Sequence, residues 1–225
     1  MKDKFVLFVV PTPIGNLEDI TYRSIKTLKN SDYILCEDTR VSRKLLDRYN
    51  IKKSLFSYHS FNEHKVVKKY IDEVLSGKII SLISDAGTPS ISDPGFLIIR
   101  EAIKNNIEID CLPGATAFVP ALVNSGISSD RFIFEGFLPT KKGRKKRLEL
   151  LSNEKRTIII YESPKRILKT LKELIIFFGK DRKASVSREL TKIYQENTRG
   201  TLDELFISFE TRIIKGEIVL IIDGK

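Results

Sequence analysis

Short apolar runs alternate with stretches of helical spacing along most of the chain. Residues 5–10 form an unbroken apolar run rich in valine, as a buried parallel strand requires. Ile20, Ile25 and Leu28 then mark a helix with Thr21 as a possible cap. Strands are predicted over 32–36, 54–58, 79–83 and 107–112. Between them lie helices, one with Val41, Leu45 and Leu46 on a face, one with Val66, Tyr70, Ile71, Val74 and Leu75, closed near Gly77. A helix over about 94–105 carries Phe96, Ile99 and Ile103, and Asp93-Pro94 reads as its N-cap and first residue. Residues 118–124 give a further helix that stops at Gly126.

The second half repeats the alternation. Residues 131–139 form a phenylalanine-rich, half-buried strand. A helix passes through Leu148, Leu150 and Leu151, and a strand follows over 157–161. Ser163-Pro164 opens a helix whose face holds Ile167, Leu168, Leu171, Leu174 and Ile175. Strands are expected over 184–187 and 193–196, a capping box at Thr201 and Glu204, and a last buried strand over 216–222. Strand–helix alternation throughout predicts an α/β protein with a mainly parallel sheet.

The loops at the strand ends are unusual. The run at 84–95, Ser-Asp-Ala-Gly-Thr-Pro-Ser-Ile-Ser-Asp-Pro-Gly, joins strand to helix with small, turn-forming and carboxylate residues. Comparable loops occur at 11–19, 37–40 and 113–117. In open α/β sheets such loops gather at one edge, where ligands bind. The carboxylates of Asp38, Asp85 and Asp93 there suit ammonium, hydroxyl or ribose groups.

Composition narrows the class. The chain has 225 residues, 41% hydrophobic and 30% charged, enough for one large or two modest domains. No apolar run approaches the ~20 residues of a membrane span, and the N-terminus reads as a first strand, not a signal peptide. Cys36 and Cys111 are too few for a disulfide framework; they read as ordinary buried thiols in a cytoplasmic protein. The net charge of +10 is uneven: residues 1–130 carry +1 and residues 131–225 carry +9. A basic second half is suited to a polyanion. Its densest stretch is Lys141, Lys142, Arg144, Lys145, Lys146 and Arg147, interrupted only by Gly143.

Several chemistries find no support. The first loop has neither G-x-G-x-x-G nor a Walker pattern, and no G-x-S-x-G elbow exists. His59 and His64, the only histidines, lie near a strand end and a helix start without metal-ligand spacing.

Ordered motifs cover nearly the whole chain: residues 12–20 (Thr-Pro-Ile-Gly-Asn-Leu-Glu-Asp-Ile), 36–40 (Cys-Glu-Asp-Thr-Arg), 84–89 with 93–95, 113–117 (Pro-Gly-Ala-Thr-Ala), 135–139 (Glu-Gly-Phe-Leu-Pro), 161–166 (Tyr-Glu-Ser-Pro-Lys-Arg), 188–192 (Arg-Glu-Leu-Thr-Lys) and Gly216-Glu217. With these the chain resembles the ribosomal RNA small subunit methyltransferase I family, 16S rRNA (cytidine-2′-O)-methyltransferases of the tetrapyrrole methylase superfamily. The resemblance implies two α/β domains, drawn at 1–114 and 115–225, a homodimer, and S-adenosylmethionine in the inter-domain cleft. It implies that Asp85, Ala86, Gly87, Thr88 and Ser90 lie at the methionine end of the cofactor. Ala115, Thr116, Ala117, Phe137, Leu138, Glu217 and Ile218 would line the adenosine side, and Ile14 and Gly15 would bind the cofactor where the first loop borders the acceptor and cofactor cleft. The implied substrate is a cytidine ribose of 16S rRNA in the decoding region of the small ribosomal subunit. Glu37, Asp38 and Glu162, within the family motifs, are candidates for the base or for positioning the ribose. Arg40, Lys165 and Arg166 would hold phosphate or steady a carboxylate, with the 141–147 segment as the main RNA contact. The alternative for 37–40 is a salt-bridged capping knot, and for 141–147 a solvated helix start. The residues depart from tetrapyrrole methylases proper at the first loop, Pro-Ile-Gly-Asn, and at Asp-Ala-Gly-Thr-Pro, which favours the RNA branch. Longer members of that branch continue past the point matching Lys225 with a small helical segment. A tetrapyrrole methyltransferase and a non-catalytic RNA-binding module are the competing readings.

Overall fold

The computed structural model describes residues 6–225 and divides into two units, Met1–Thr116 and Ala117–Lys225. Phe5, the first residue of the predicted first strand, lies outside the described residues.

The first unit is a parallel sheet built from β1 (Val6–Val9), β2 (Tyr33–Cys36), β3 (Ser54–Ser57), β4 (Ile80–Leu82) and β5 (Glu108–Cys111), in the order β3-β2-β4-β1-β5. The crossovers are α1 (Tyr22–Asn30), α2 (Thr39–Arg48), α3 (Glu63–Leu75) and α4 (Phe96–Lys104). Both sheet faces are covered, as parallel sheets demand. Leu7, Leu35, Ile80 and Leu82 point to one face, with Tyr70, Ile71 and Val74 of α3 and Ile98 and Ala102 of α4. Ile34 and Cys36 point to the other, with Leu28 of α1 and Leu45 and Leu46 of α2. Thr21 caps α1 as its sequence predicts, its hydroxyl accepting from Ser24 N.

Two details of the first unit differ from the sequence pattern. The N-cap of α4 is Gly95, at φ +139°, not Asp93. The helix buries Leu97, Ile98 and Ala102, while Phe96 and Ile103 are exposed. Phe-Leu-Ile-Ile offers two almost equally apolar stripes, so spacing alone does not choose between them. Val41 of α2 and Cys111 are likewise exposed; Cys36 is buried, which pushes its thiol pKa up.

The second unit holds α5 (Phe118–Ser125), β6 (Phe132–Phe137), α6 (Arg144–Leu151), β7 (Thr157–Glu162), α7 (Ile167–Phe178), β8 (Lys183–Arg188), β9 (Glu196–Thr201), α8 (Leu202–Glu210) and β10 (Ile218–Ile222). Its sheet order is β6-β7-β10-β8-β9. Only β6 and β7 run parallel; β10 pairs antiparallel with both neighbours, and β9 antiparallel with β8. The expectation of a mainly parallel sheet therefore fails in this half, because the last strand, β10, inserts antiparallel between β7 and β8 and β9 returns beside β8 without an intervening helix. Ile193 and Tyr194 are exposed loop residues, and the strand begins at Glu196. Its sequence, Glu-Asn-Thr-Arg-Gly-Thr, has no apolar alternation because it is a sheet edge. The capping box at Thr201 and Glu204 is present with both of its hydrogen bonds. Buried β10 sits centrally, and Leu171, Leu174, Leu202 and Leu205 close the core above it.

Candidate functional site

In the first unit, the carboxyl ends of β1, β2, β4 and β5 share one edge, and their loops are tied together there. Thr12 and Gly87 exchange two backbone hydrogen bonds of 2.9 Å. Thr12 Oγ1 donates to the Ser84 carbonyl at 3.0 Å, and Ser84 Oγ donates to the Gly87 carbonyl at 3.1 Å. Thr88 Oγ1 donates to the Ala115 carbonyl at 3.1 Å, and Asp85 Oδ1 accepts from Asp38 N at 3.0 Å. Gly87 at φ +82° and Ser90 at φ +73° give the 84–90 loop its reversal. A Cβ on Gly114 would lie 2.5 Å from Pro11 Cβ, so the first and last loops touch only because that residue is glycine. Ile14 is buried beside Gly87, while Gly15 is exposed. Ala86, Ala115 and Thr116 are half-buried. Small side chains and a backbone held by its own hydroxyls form a rigid, open-faced cradle suited to close approach by a ligand. Asp85 and Thr88 already have partners within the chain and brace this cradle.

The carboxylates at this edge differ in kind. Asp38 caps α2 by accepting from Arg40 N, and grips the Arg40 guanidinium at 2.6 Å. Those donors hold its pKa down, to about 2, and the exposed Arg40 is committed to it. Glu37 is half-buried, and no hydrogen bond reaches its carboxylate among the described residues. Its pKa is raised, first by burial, then by Asp85 and Asp38; His59 works in the opposite direction. Burial also raises Asp85, against the pull of the Asp38 N–H. Of these carboxylates Asp85 lines a cavity of about 160 Å³, together with Pro13, Leu17, Val41 and Lys44. The candidate residues read from the sequence did not include Leu17, Val41 or Lys44, although Leu17 lies in the 12–20 motif and Val41 and Lys44 in the first turns after the 36–40 motif.

In the second unit the predicted residues separate into two groups. Glu162 is buried in full: Oε1 accepts from Ser163 N at 2.7 Å and pairs with Arg166 Nε at 2.8 Å, and Oε2 accepts from Thr170 Oγ1 at 2.6 Å. Both oxygens are occupied inside the fold, so Glu162 is placed as a strut and not as a base facing substrate. Arg144, predicted to meet RNA, is also buried. It donates to Glu173 at 2.7 Å, to the Pro139 carbonyl at 3.0 Å and to Thr170 Oγ1 at 2.8 Å. The reason is local: Gly143 at φ +82° starts α6 so that its first side chain turns inward. Arg147 is paired with Glu135. Lys141, Lys142, Lys145, Lys146 and Lys165 remain exposed.

Phe137 is exposed, with the Arg166 guanidinium 5.8 Å from its ring centroid and Tyr161 edge-on at 5.7 Å. A bulge between Phe134 and Gly136 lets Phe134 and Phe137 both meet Tyr161. Leu138 and Ile218 are buried in the core, leaving their backbone for any ligand contact. Ala117 is half-buried at the start of α5, and Glu217 is exposed and paired with Lys192 at 2.9 Å.

The sequence profile of the tetrapyrrole (corrin/porphyrin) methylases matches residues 6–205. A protein of Halalkalibacterium halodurans named ribosomal RNA small subunit methyltransferase I is 47% identical over 99% of this chain and 77% of its own length. One of the same name from Thermotoga maritima is 44% identical over 97% of this chain and 98% of its own length. The chain belongs to the ribosomal RNA small subunit methyltransferase I family of the tetrapyrrole methylases. Among solved structures, a cobalt precorrin-4 methyltransferase superposes with a TM-score of 0.69 at 19% identity, over 97% of this chain and 95% of the other, which establishes the shared fold. Methyltransferases of this family use S-adenosylmethionine. The glycine and alanine cradle and its self-satisfied backbone fit a cofactor of that size.

Proposed function

We propose that this protein methylates the ribose 2′-oxygen of a cytidine in 16S rRNA, in the decoding region of the small ribosomal subunit, acting as a cytoplasmic homodimer. The observation that carries the reading is identity of 44–47% to relatives named for small-subunit ribosomal RNA, over nearly the whole chain. The tetrapyrrole alternative rests on structures at 19% identity, which speak for fold alone.

S-adenosylmethionine, when bound, supplies an electrophilic methyl group. The chain's part is to align the acceptor and move one proton. The loops at 84–90 and 113–117 hold the cofactor through backbone approach at Ala86, Gly87, Ala115, Thr116 and Ala117. Phe137 and the backbone of Leu138, Glu217 and Ile218 complete its adenosine side. Glu37 takes the proton of the ribose hydroxyl, since its carboxylate accepts no hydrogen bond among the described residues and its pKa is raised. Asp38 and Arg40 fix the start of α2 beside it. Lys141, Lys142, Lys145, Lys146 and Lys165 contact phosphates and position the subunit without reading sequence.

The test is transfer of labelled methyl to small ribosomal subunits, against a tetrapyrrole precursor as control. A 2′-O-methyl group blocks alkaline cleavage of the adjoining phosphodiester, so the label should survive alkali in a dinucleotide. Label recovered in mononucleotides overturns the ribose assignment. Transfer to the tetrapyrrole alone overturns the RNA assignment.

A further inference from the structure

The cavity that Asp85 helps to line has a composition the methyl-transfer step does not use. Its volume is about 160 Å³. At roughly 30 Å³ per water that is room for a single-ring heterocycle. Pro13, Leu17, Val41 and Leu45 give it apolar walls, and Lys44, Asp85 and the hydroxyl residues Thr12, Ser42 and Ser84 complete the lining. Leu17 and Val41 are 39% and 41% exposed, apolar side chains left at the surface where they flank this opening. Apolar walls with a few polar groups suit the ring of a nucleobase.

The position is equally telling. Asp85 lines the cavity, sits close enough to Glu37 to disfavour its charge, and accepts from Asp38 N.

We propose that this cavity receives the unstacked base of the target nucleotide and selects cytosine. The inference rests on the RNA methylation reading above. Cytosine presents an exocyclic amine beside two acceptors. Asp85 accepts from the amine, as carboxylates do from cytosine N4, and Lys44 donates to the ring nitrogen or the carbonyl. Uracil would turn a carbonyl oxygen toward the Asp85 carboxylate and lose that bond. Leu17 and Val41 hold the ring from its faces.

The experiment compares small subunits carrying cytidine or uridine at the nucleotide the enzyme modifies, with S-adenosylmethionine affinity measured separately by calorimetry. Wild-type enzyme should prefer cytidine by about tenfold or more. Asp85→Asn, whose amide can face either pattern, should shrink that preference. Lys44→Met and Val41→Ala are surface changes; each should raise KM for the subunit several-fold without altering cofactor affinity. Equal rates on cytidine and uridine overturn the proposal. So does lost cofactor affinity in Lys44→Met at unchanged subunit KM, because the cavity would then hold the methionine end of the cofactor. A wild type that binds S-adenosylmethionine yet methylates no subunits overturns the RNA reading beneath, a result distinct from equal rates in an active enzyme.

Discussion

Glu37 follows β2 in the first unit and Glu162 ends β7 in the second. Both close a strand, both sit next to a helix start, and both have an arginine a few residues on. Their surroundings are opposite. Glu162 has a donor on each oxygen and no exposed surface, with Thr170 linking it to the Arg144–Glu173 pair. Glu37 is half-buried, has no donor on its carboxylate among the described residues, and is near two other carboxylates. A carboxylate with all its lone pairs satisfied holds a fold together; one left partly desolvated and unpaired is available to accept a proton. The lesson extends to the cations: Arg144 and Arg40 are spoken for, while the lysines of the same motif regions are exposed.

The comparison breaks most readily at Glu37. Glu37→Gln should lower methyl transfer by about 10²–10⁴, with unfolding midpoints unchanged or slightly raised. The sign follows from its raised pKa: the folded state favours the protonated acid, so a charged Glu37 opposes folding above that pKa, and the amide removes the penalty. The acid limb of kcat/KM should lie above the ordinary glutamate value, because the base works only when ionised. Asp85→Asn removes a like charge and should move that limb to lower pH. Full activity in Glu37→Gln would end its assignment as the base.

Glu162→Leu should behave in the contrary way. It leaves Arg166 and Thr170 without their acceptor inside the second unit, at a cost of about 3 kcal/mol in denaturant unfolding. S-adenosylmethionine binding at low temperature, where the fold persists, should be retained. A stable Glu162→Leu protein with abolished transfer would reverse the two roles.

The cations give a smaller effect. Replacing Lys141, Lys142, Lys145 and Lys146 by alanine should flatten the salt dependence of subunit binding, by a slope change of roughly one per lost phosphate contact. Arg144→Met should instead lower stability. Equal salt slopes in the lysine variant and the wild type would show that face to be merely solvated.

The smallest expected effect is at Glu196, at the start of β9, where Arg212 and Arg188 hold its pKa down, to about 2. A depressed acid contributes stability that is complete above its unfolded pKa and is lost as pH falls toward its folded one. Glu196→Gln should cost about 1 kcal/mol at neutral pH, a cost that fades as pH falls through about 2. Thermal melts across that window check it.

The sequence by itself determined a good deal. Runs of apolar residues located β1, β2, β4, β7 and β10, since a strand buried on both faces has to be written in such residues. Thr21 and the Thr201–Glu204 pair marked two helix starts through local hydrogen bonds that need no tertiary partner. The loop motifs at 12–20, 36–40, 84–95 and 113–117 identified both the family and the edge where the candidate site forms. Tertiary structure decided what local pattern leaves degenerate. It chose which apolar stripe of α4 to bury, and made β9 a strand through edge pairing with no apolar signal. Above all it settled which polar groups are consumed. Glu37 and Glu162, or Arg144 and Lys145, are alike in type and local sequence. Only the donors and acceptors brought from distant elements distinguish a strut from a reactive group, because burial and hydrogen bonding set the free energy of a charge and neither is a property of the neighbouring sequence.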